Sequence, residues 1–564
     1  MLKRGLALRA ATHAATWLPF TDGAIATMRG GWLPINDNAA IAVRSWDALT
    51  RYGPMLGQPS RLAPGVYDPG PAQYWLLALP VHADPMEGAL WGAALWCMLA
   101  CSLAIEAARS AAGTAGGVLA AAGLLGAILW IPGVTHLPVW NPWFGLMFFL
   151  AALAAAWAVL AGRRWWWPAL VITASVAAQA HLMYALACGA LVLVALAVGL
   201  ADSLRARAGW WWLVPGVIAG LGCWSLPLIQ EFTARHGNLS ALLHDSGSAG
   251  PAGGLAFGLR AVAASVQPAP VWWTSFPRIH SLGLAGQRPA AAGVAAFVPL
   301  AAIGVAASLR PLRSRLVAAL AALGLVVGLA AAVTFAAIPA ASIAQQNAGN
   351  DSLTYLMAPM YPVGMVTWLA VAAAAALLAR RVVAWVRAAR TVSAPAAAGP
   401  QAEGGSARRA RRITATPWLA RGAGTLAAVG ALALASFCAA DGAQAAPRSD
   451  ADFTLIQAIT LVSRAVRAEL PAQRLKLSVT GLDQHFRRGV TLGLAYVLVT
   501  DGYRPEVVPH YAWQLGPAFT FHGQSVLRVI VKLSPRSYMV VIGQPPISLT
   551  DGGGGGHVPY LRLS

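Results

Sequence analysis

Residues 143–162 read WFGLMFFLAALAAAWAVLAG, and Arg163 and Arg164 follow at once. A helix rising about 1.5 Å per residue carries this uncharged run across the roughly 30 Å hydrocarbon core of a bilayer. The arginine pair marks the end at which it leaves. Similar runs flank it near 89–108, 115–132, 166–182, 184–201, 210–229, 290–309, 316–338, 355–379 and 416–438. A weaker run over 6–28 is interrupted by Arg9, His13 and Asp22. It starts with Lys3 and Arg4 but has no small-residue cleavage site, so it reads as an uncleaved first helix. Across 564 residues, 58% are hydrophobic and only 11% charged, with mean hydropathy +0.60. Soluble domains carry about 25% charge, so a string of soluble domains is excluded. The expectation is an all-α polytopic membrane protein with about eleven transmembrane helices.

Forty basic residues against twenty acidic ones give a net charge of +20. In a soluble chain that excess would point to nucleic acid, but here it sits in short loops. With the N-terminus inside, Arg109, Arg163/Arg164, Arg205/Arg207, Arg310/Arg313/Arg315 and the stretch Arg380–Arg412 all fall in cytoplasmic loops. That is the positive-inside pattern, and no nucleic-acid partner is expected. The acids Asp22, Asp37, Asp47, Asp68, Asp84, Glu87, Glu231, Asp245 and Asp351 fall at or beyond the outer ends. Cys97, Cys101, Cys188 and Cys223 lie inside apolar runs, and no metal or disulfide spacing emerges.

The chain divides accordingly. Residues 1–440 form a transmembrane module, with a first outer loop at 29–88 and a Pro/Ala/Gly-rich cytoplasmic linker at 380–413. Charges return in 447–564, which is expected to be a small extracytoplasmic α+β domain with a flexible tail. There LIQAITLVSRAVRAEL (455–470) reads as an amphipathic helix. LKLSVTG (475–481), GVTLGLAYVLVTDG (489–502) and SVLRVIVKLS (525–534) read as strands or short buried elements. The glycine run 552–556 before His557 reads as a linker rather than a metal site.

The first outer loop is dense in Trp, Tyr, Leu and Pro, and loops of this length tend to carry function. AAIAVRSWDALTRY (39–52) alternates in a helical way, with Ile41, Trp46 and Leu49 near one face. PAQYWLLALPVH (71–82) is too short to span. It reads as an interfacial helix opened by Pro71, with Tyr74 and Trp75 as headgroup-level anchors.

These stretches carry a resemblance. An acid stands just after the first helix (Ile35-Asn36-Asp37-Asn38), and a Pro-rich segment runs into Tyr-Trp (Asp68-Pro69-Gly70-Pro71-Ala72-Gln73-Tyr74-Trp75). Then come His136-Leu-Pro-Val-Trp140-Asn141-Pro142, Gln179-Ala-His181-Leu-Met-Tyr184, and Trp224 through Gln230-Glu231 with Gly237-Asn238-Leu239-Ser240. In that order, over roughly 1–380, the chain resembles the GT-C superfamily of membrane glycosyltransferases, especially the protein-mannosyltransferase-like branch and its bacterial relatives. The resemblance implies transfer of a sugar from a polyprenyl-phosphate donor to an envelope polysaccharide, lipid or protein acceptor, on the outer side of the cytoplasmic membrane.

Such a transfer needs a base for the acceptor hydroxyl and a counter-charge for the leaving phosphate. The resemblance makes Asp37 the base, with Asp68 as the second catalytic candidate. Arg44, Arg61, His136 or His181 would meet the phosphate. Tyr74, Asn141, Gln179, Tyr184, Gln230, Glu231 and Asn238 complete the candidate substrate site. No cofactor motif is present, and a divalent cation (Mg or Mn) stays open as the alternative counter-charge. Each residue also has a plainer reading. Asp37 suits a helix N-cap, Asp68 a turn before proline, and Gln179 and His181 an interhelical bond. Asn238-Leu239-Ser240 matches a glycosylation acceptor, and Asp47 suits pairing with Arg44 or Arg51. Asp351 is a weaker acidic or metal candidate, and Trp165–Trp167 and Trp210–Trp212 read as interface anchors. Two other functions remain in view: a lipid-sugar transporter or flippase, and a catalytically inert scaffold of the same fold.

Overall fold

The computed structural model describes residues 2–60, 65–131, 133–207, 209–244, 250–267, 288–309, 312–347, 355–392, 450–481, 484–520, 527–534, 537–543 and 560–563. The chain enters through α1 (Leu2–Arg29), and the first loop folds into α2 (Asn36–Asp47) and α3 (Ala72–Ala83). α4 (Gly88–Trp130) is broken at Ala112–Gly113, where Gly113 takes φ +69°, open to glycine at little cost. A Cβ on Gly116 would strike the Ala108 carbonyl, so the two halves of α4 double back on each other. The bundle continues with α5 (Asn141–Leu160), α6 (Trp167–Ala180), α7 (Ala185–Arg205), α8 (Val214–Thr233) and α9 (Asn238–His244). It is completed by α10 (Gly254–Val266), α11 (Ala290–Ser308), α12 (Arg315–Ala336), α13 (Ala340–Asn347) and α14 (Met360–Val392).

α5 is buried along its length except at Ala154 and Trp157. A helix that is apolar on every side belongs at the centre of a bundle, and α4, α6, α7 and α12 surround it. α8 and α11 do the reverse. Val217, Ile218 and Leu221, and Val294, Val298 and Val305, point outward, as on a surface that lipid covers.

Among the described residues, seven helices are long and apolar enough to cross a membrane, counting α4 once. The chain is a largely helical membrane protein. The expectation of eleven spans goes further, and the difference has physical causes. α1 carries Arg9, His13 and Asp22, α6 has 14 residues, and 416–438 lies outside the described residues.

The helix ends sort by charge. Arg163 Nε donates to the Ser110 carbonyl (2.9 Å), and Arg164 Nη1 to Ser203 Oγ (3.0 Å). Arg315 donates to the Leu160 carbonyl (2.6 Å) and pairs with Asp202, while Arg9 and His13 meet Glu106. All of these gather at one end of the bundle. The first loop lies at the other.

Residues 450–563 supply α15 (Asp450–Glu469), β1 (Arg474–Gly481), α16 (Gln484–Thr500), β2 (Arg504–Val507), α17 (Pro509–Leu515), β3 (Leu527–Ser534), β4 (Ser537–Gly543) and β5 (Tyr560–Leu563). The sheet order is β2-β1-β3-β4-β5, with β1 parallel to β2 and β3 and the remaining pairs antiparallel. The segment read as LKLSVTG lies in β1, SVLRVIVKLS supplies β3 from Leu527 on with 525–526 outside the described residues, and LIQAITLVSRAVRAEL lies in α15 apart from Leu470. The segment 489–502 is a correction, because it forms most of α16 rather than a strand. Leu492, Leu494, Ala495, Tyr496, Val497 and Leu498 are buried in a near-continuous run. A run buried on all sides shows neither the strand period nor the helix period, and its length then decides. α16 is enclosed by β1, α15 and α2. Its core is continuous with that of the membrane helices.

Candidate functional site

Most of the first loop beyond α2 lacks regular structure, so its backbone groups need partners from elsewhere. Asp68 N–H donates to the Gln58 carbonyl (2.7 Å) and Ser60 N–H to the Val66 carbonyl (2.7 Å), closing a small antiparallel turn. Asn238 clamps that turn: Tyr67 N–H donates to Oδ1 (2.9 Å) and Nδ2 donates to the Tyr67 carbonyl (3.1 Å). Gln230 and Glu231 accept from the Asn238 and Leu239 N–H groups and so hold the start of α9. Gln179 accepts from Ala72 N–H (3.2 Å) and donates to the Cys223 carbonyl (2.7 Å), tying α3 to α6 and α8.

This scaffold places two carboxyls. Asn36 takes φ +50°, a left-handed conformation that asparagine tolerates, and Asp37 follows in the first turn of α2. The N-cap is Ile35 and makes no side-chain bond, so Asp37 is not the cap. Its carboxylate reaches away from its own helix instead. Oδ2 accepts from Trp140 Nε1 (3.2 Å), and Oδ1 accepts from Arg488 Nη2 on α16. Gln514 on α17 accepts from the same guanidinium at Nε (3.1 Å) and Nη2 (3.0 Å).

Asp68 is buried more deeply. Oδ1 accepts from Leu182 N–H (2.8 Å) and Oδ2 from Asn141 Nδ2 (3.1 Å). Burial pushes its pKa up to about 8, against the pull of those two donors, so it holds its proton at neutral pH. His181 moves the opposite way. Burial lowers it to about 4 although Asp37 favours its charged form, which leaves the imidazole neutral. Asp47, paired with Arg44 at 3.5 Å, is raised to about 7 by burial.

Between these groups lies a cavity of about 580 Å³. One part of its wall is polar: Asp37, Asp68, Asn141, His181, Gln58, Arg488 and Gln514. Another is apolar: Leu186, Leu239, Leu242, Leu243, Val333 and Ile338. Trp140, Tyr355, Trp224 and Trp513 supply aromatic surface, with the Trp140 and His181 rings both edge-on to Tyr355.

Of the sequence candidates, Asp37, Asp68, Asn141 and His181 therefore meet at one cavity, and the other described ones fall elsewhere. Tyr184 is buried and donates to the Pro142 carbonyl (2.9 Å). Tyr74, expected at headgroup level, is buried with no partner for its hydroxyl, while Trp75 is half exposed. Leu49 is likewise exposed, beyond the end of α2. His136 packs at Thr27, and Arg44 donates to the Leu515 carbonyl (3.4 Å). Gln179, Gln230, Glu231 and Asn238 are the struts described above. Arg61 and Asp351 lie outside the described residues. Sequence reasoning missed Arg488, Gln514, Gln58 and Tyr355. The only signal was the pair Arg487-Arg488 opening an otherwise apolar run.

The donor set does not fit a divalent cation. Asp37 already accepts from a guanidinium, Asp68 accepts from two N–H groups, and Arg488 repels a second positive charge. Among the described residues, no cluster of three or more His, Cys, Asp or Glu can hold a metal. Comparison with protein-family models, curated proteins and solved structures finds no match.

Proposed function

We propose that this chain is a GT-C-type integral membrane glycosyltransferase, moving a sugar from a polyprenyl-phosphate donor to a cell-envelope acceptor. The observation that carries this reading is the cavity. It joins a carboxylate, Asp37, and a neutral polar set to an apolar wall of leucines, as an amphiphile with a hydrophilic head requires. In this reading the apolar wall takes the isoprenoid and the polar wall takes the sugar.

The acceptor hydroxyl gives its proton to Asp37 while its oxygen bonds the anomeric carbon. The bond from that carbon to the phosphate oxygen breaks, and its electron pair leaves with the phosphate. One base on the face opposite the leaving group is enough for an inverting transfer. Asn141 and Gln514 are placed to bind sugar hydroxyls, and Asp68 positions Asn141 and the turn at Leu182. In this reading the arginine-rich end of the bundle is cytoplasmic by the positive-inside rule, and the cavity and the α15–β5 segment face the outer side of the cytoplasmic membrane. This reading also keeps the finer topology of eleven spans, with 416–438 as the last.

The test is Asp37→Asn in membranes supplied with labelled polyprenyl-phosphate sugar. Transfer falls by about a hundredfold or more at unchanged protein level, the scale of a lost general base. Wild-type transfer by the variant removes Asp37 as the base and, with it, this reading.

A further inference from the structure

A lipid phosphate entering this cavity needs a counter-charge. Arg488 is the one Lys or Arg among the described residues that line it. It comes not from the membrane helices but from α16, and the approach of that helix is built for the reach. Gly489 and Gly493, one turn apart, pack between α15 and the first loop. A Cβ at Gly493 would stand 2.5 Å from Ile459 Cδ1 and 3.1 Å from the Pro34 carbonyl, and one at Gly489 2.9 Å from Leu455 Cδ2. A larger residue at 493 would press on α15 and on the loop at Pro34. Tyr496 OH donates to the Pro85 carbonyl and fastens the far part of the same helix to the start of α4. Gln514 grips one edge of the guanidinium and directs Nη2 to Asp37. Nη1 makes no hydrogen bond among the described residues.

We infer that Arg488 is the phosphate-binding residue of the cavity, carried by the C-terminal segment, with Asp37 holding its place until the phosphate of an isoprenoid lipid arrives. The guanidinium fork suits a phosphate with two parallel N–H bonds, and Nη1 is the donor still open. When Nη2 turns to the phosphate, it gives up its bond to Asp37 Oδ1, so one guanidinium links the arrival of the lipid head to the carboxylate. The isoprenoid identity of the lipid rests on the function proposed above; the assignment of an anion to Arg488 does not.

The test is binding without transfer. Full-length protein in detergent micelles is titrated with a long-chain polyprenyl phosphate lacking sugar, read by the fluorescence of the cavity tryptophans Trp140, Trp224 and Trp513. The neutral polyprenol and inorganic phosphate serve as parallel probes. The wild type prefers the phosphate lipid to the polyprenol by about tenfold or more, and inorganic phosphate alone binds more weakly than the lipid. Arg488→Gln loses that preference, and Arg488→Lys keeps part of it. Asp37→Asn, which frees the guanidinium, binds the phosphate lipid more tightly than the wild type. The double variant R488Q/D37N leaves no carboxylate uncompensated and binds as weakly as Arg488→Gln.

A phosphate preference that survives Arg488→Gln overturns the inference, as does weakened binding in Asp37→Asn. Inorganic phosphate binding as tightly as the lipid overturns the lipid assignment. Because no sugar moves, the two readings fail separately. Loss of transfer in Asp37→Asn together with an Arg488-independent preference keeps the transferase and removes this role. Intact transfer in Asp37→Asn with an Arg488-dependent preference does the opposite.

Discussion

The two ends of the bundle handle charge in opposite ways. At the arginine-rich end the guanidiniums of Arg9 and Arg315 are about half exposed, although their carboxylate partners Glu106 and Asp202 are 24% and 17% exposed. Arg315, 46% exposed, is typical. At the other end the arginine goes inside as well: Arg488 and Asp37 are 17% and 20% exposed, and the protonated Asp68 beside them is only 8%. Exposed ion pairs are worth about 0–1 kcal/mol, so the first set orients helices without holding the fold together. Burying an ionisable group is costly unless it is paired, and near a membrane such groups usually have a task. The contrast supports the proposal that the cavity end is the working end, without reference to any relative.

Breaking one pair at each end tests that contrast most directly. Arg488→Leu takes the guanidinium from the Asp37 carboxylate and destabilises the protein by about 3 kcal/mol, and adding Asp37→Asn restores most of the loss. A double-mutant cycle on apparent Tm in detergent measures the coupling. Additive effects would mean that the pair contributes nothing together.

The pH response sharpens the comparison at an intermediate scale. Asp68 stands at about 8 when folded, against an ordinary 3.8. Between those values the folded state binds more protons than the unfolded chain, so stability falls as pH rises and the loss is complete above about 8. Asp47 behaves the same way up to about 7. The apparent Tm of the wild type therefore declines up to about pH 8. That of Asp68→Asn declines less and levels off near pH 7. Matching curves for the two proteins would show that Asp68 titrates normally.

The smallest effect belongs to the other end. Arg315→Ala shifts stability by less than about 1 kcal/mol, and added salt changes it little further. A loss there as large as that of Arg488→Leu would erase the distinction between the ends.

How much of this was legible beforehand varies by residue. α5 could be read from its composition, because an uncharged apolar run of that length has one comfortable environment. The helix after Pro71 was visible from its length and its opening proline. Asp37 and Asp68 stood out as acids beside aromatic turns. What failed was anything set by long-range contact. Tyr74 looks like an anchor in the chain, yet it faces inward once α3 packs on α2 and α4. Gln179, Gln230, Glu231 and Asn238 carry the polar atoms a sugar site wants, but backbone groups of other segments claim them first. α16 read only as a strand or short buried element because burial on all sides erases the period that separates helix from strand.

By itself, the order of amino acids determined the membrane, the alternation of the helices and the end at which the arginines gather. Those follow from local composition, since each span answers to lipid and to the charges beside it. The meeting of Asp37 with Arg488 was decided only in three dimensions. The two residues lie 451 positions apart, and no local pattern links them. Their contact exists because α16 packs between α15 and the first loop, with Gly493 close to Pro34, a packing fact that a linear sequence does not display.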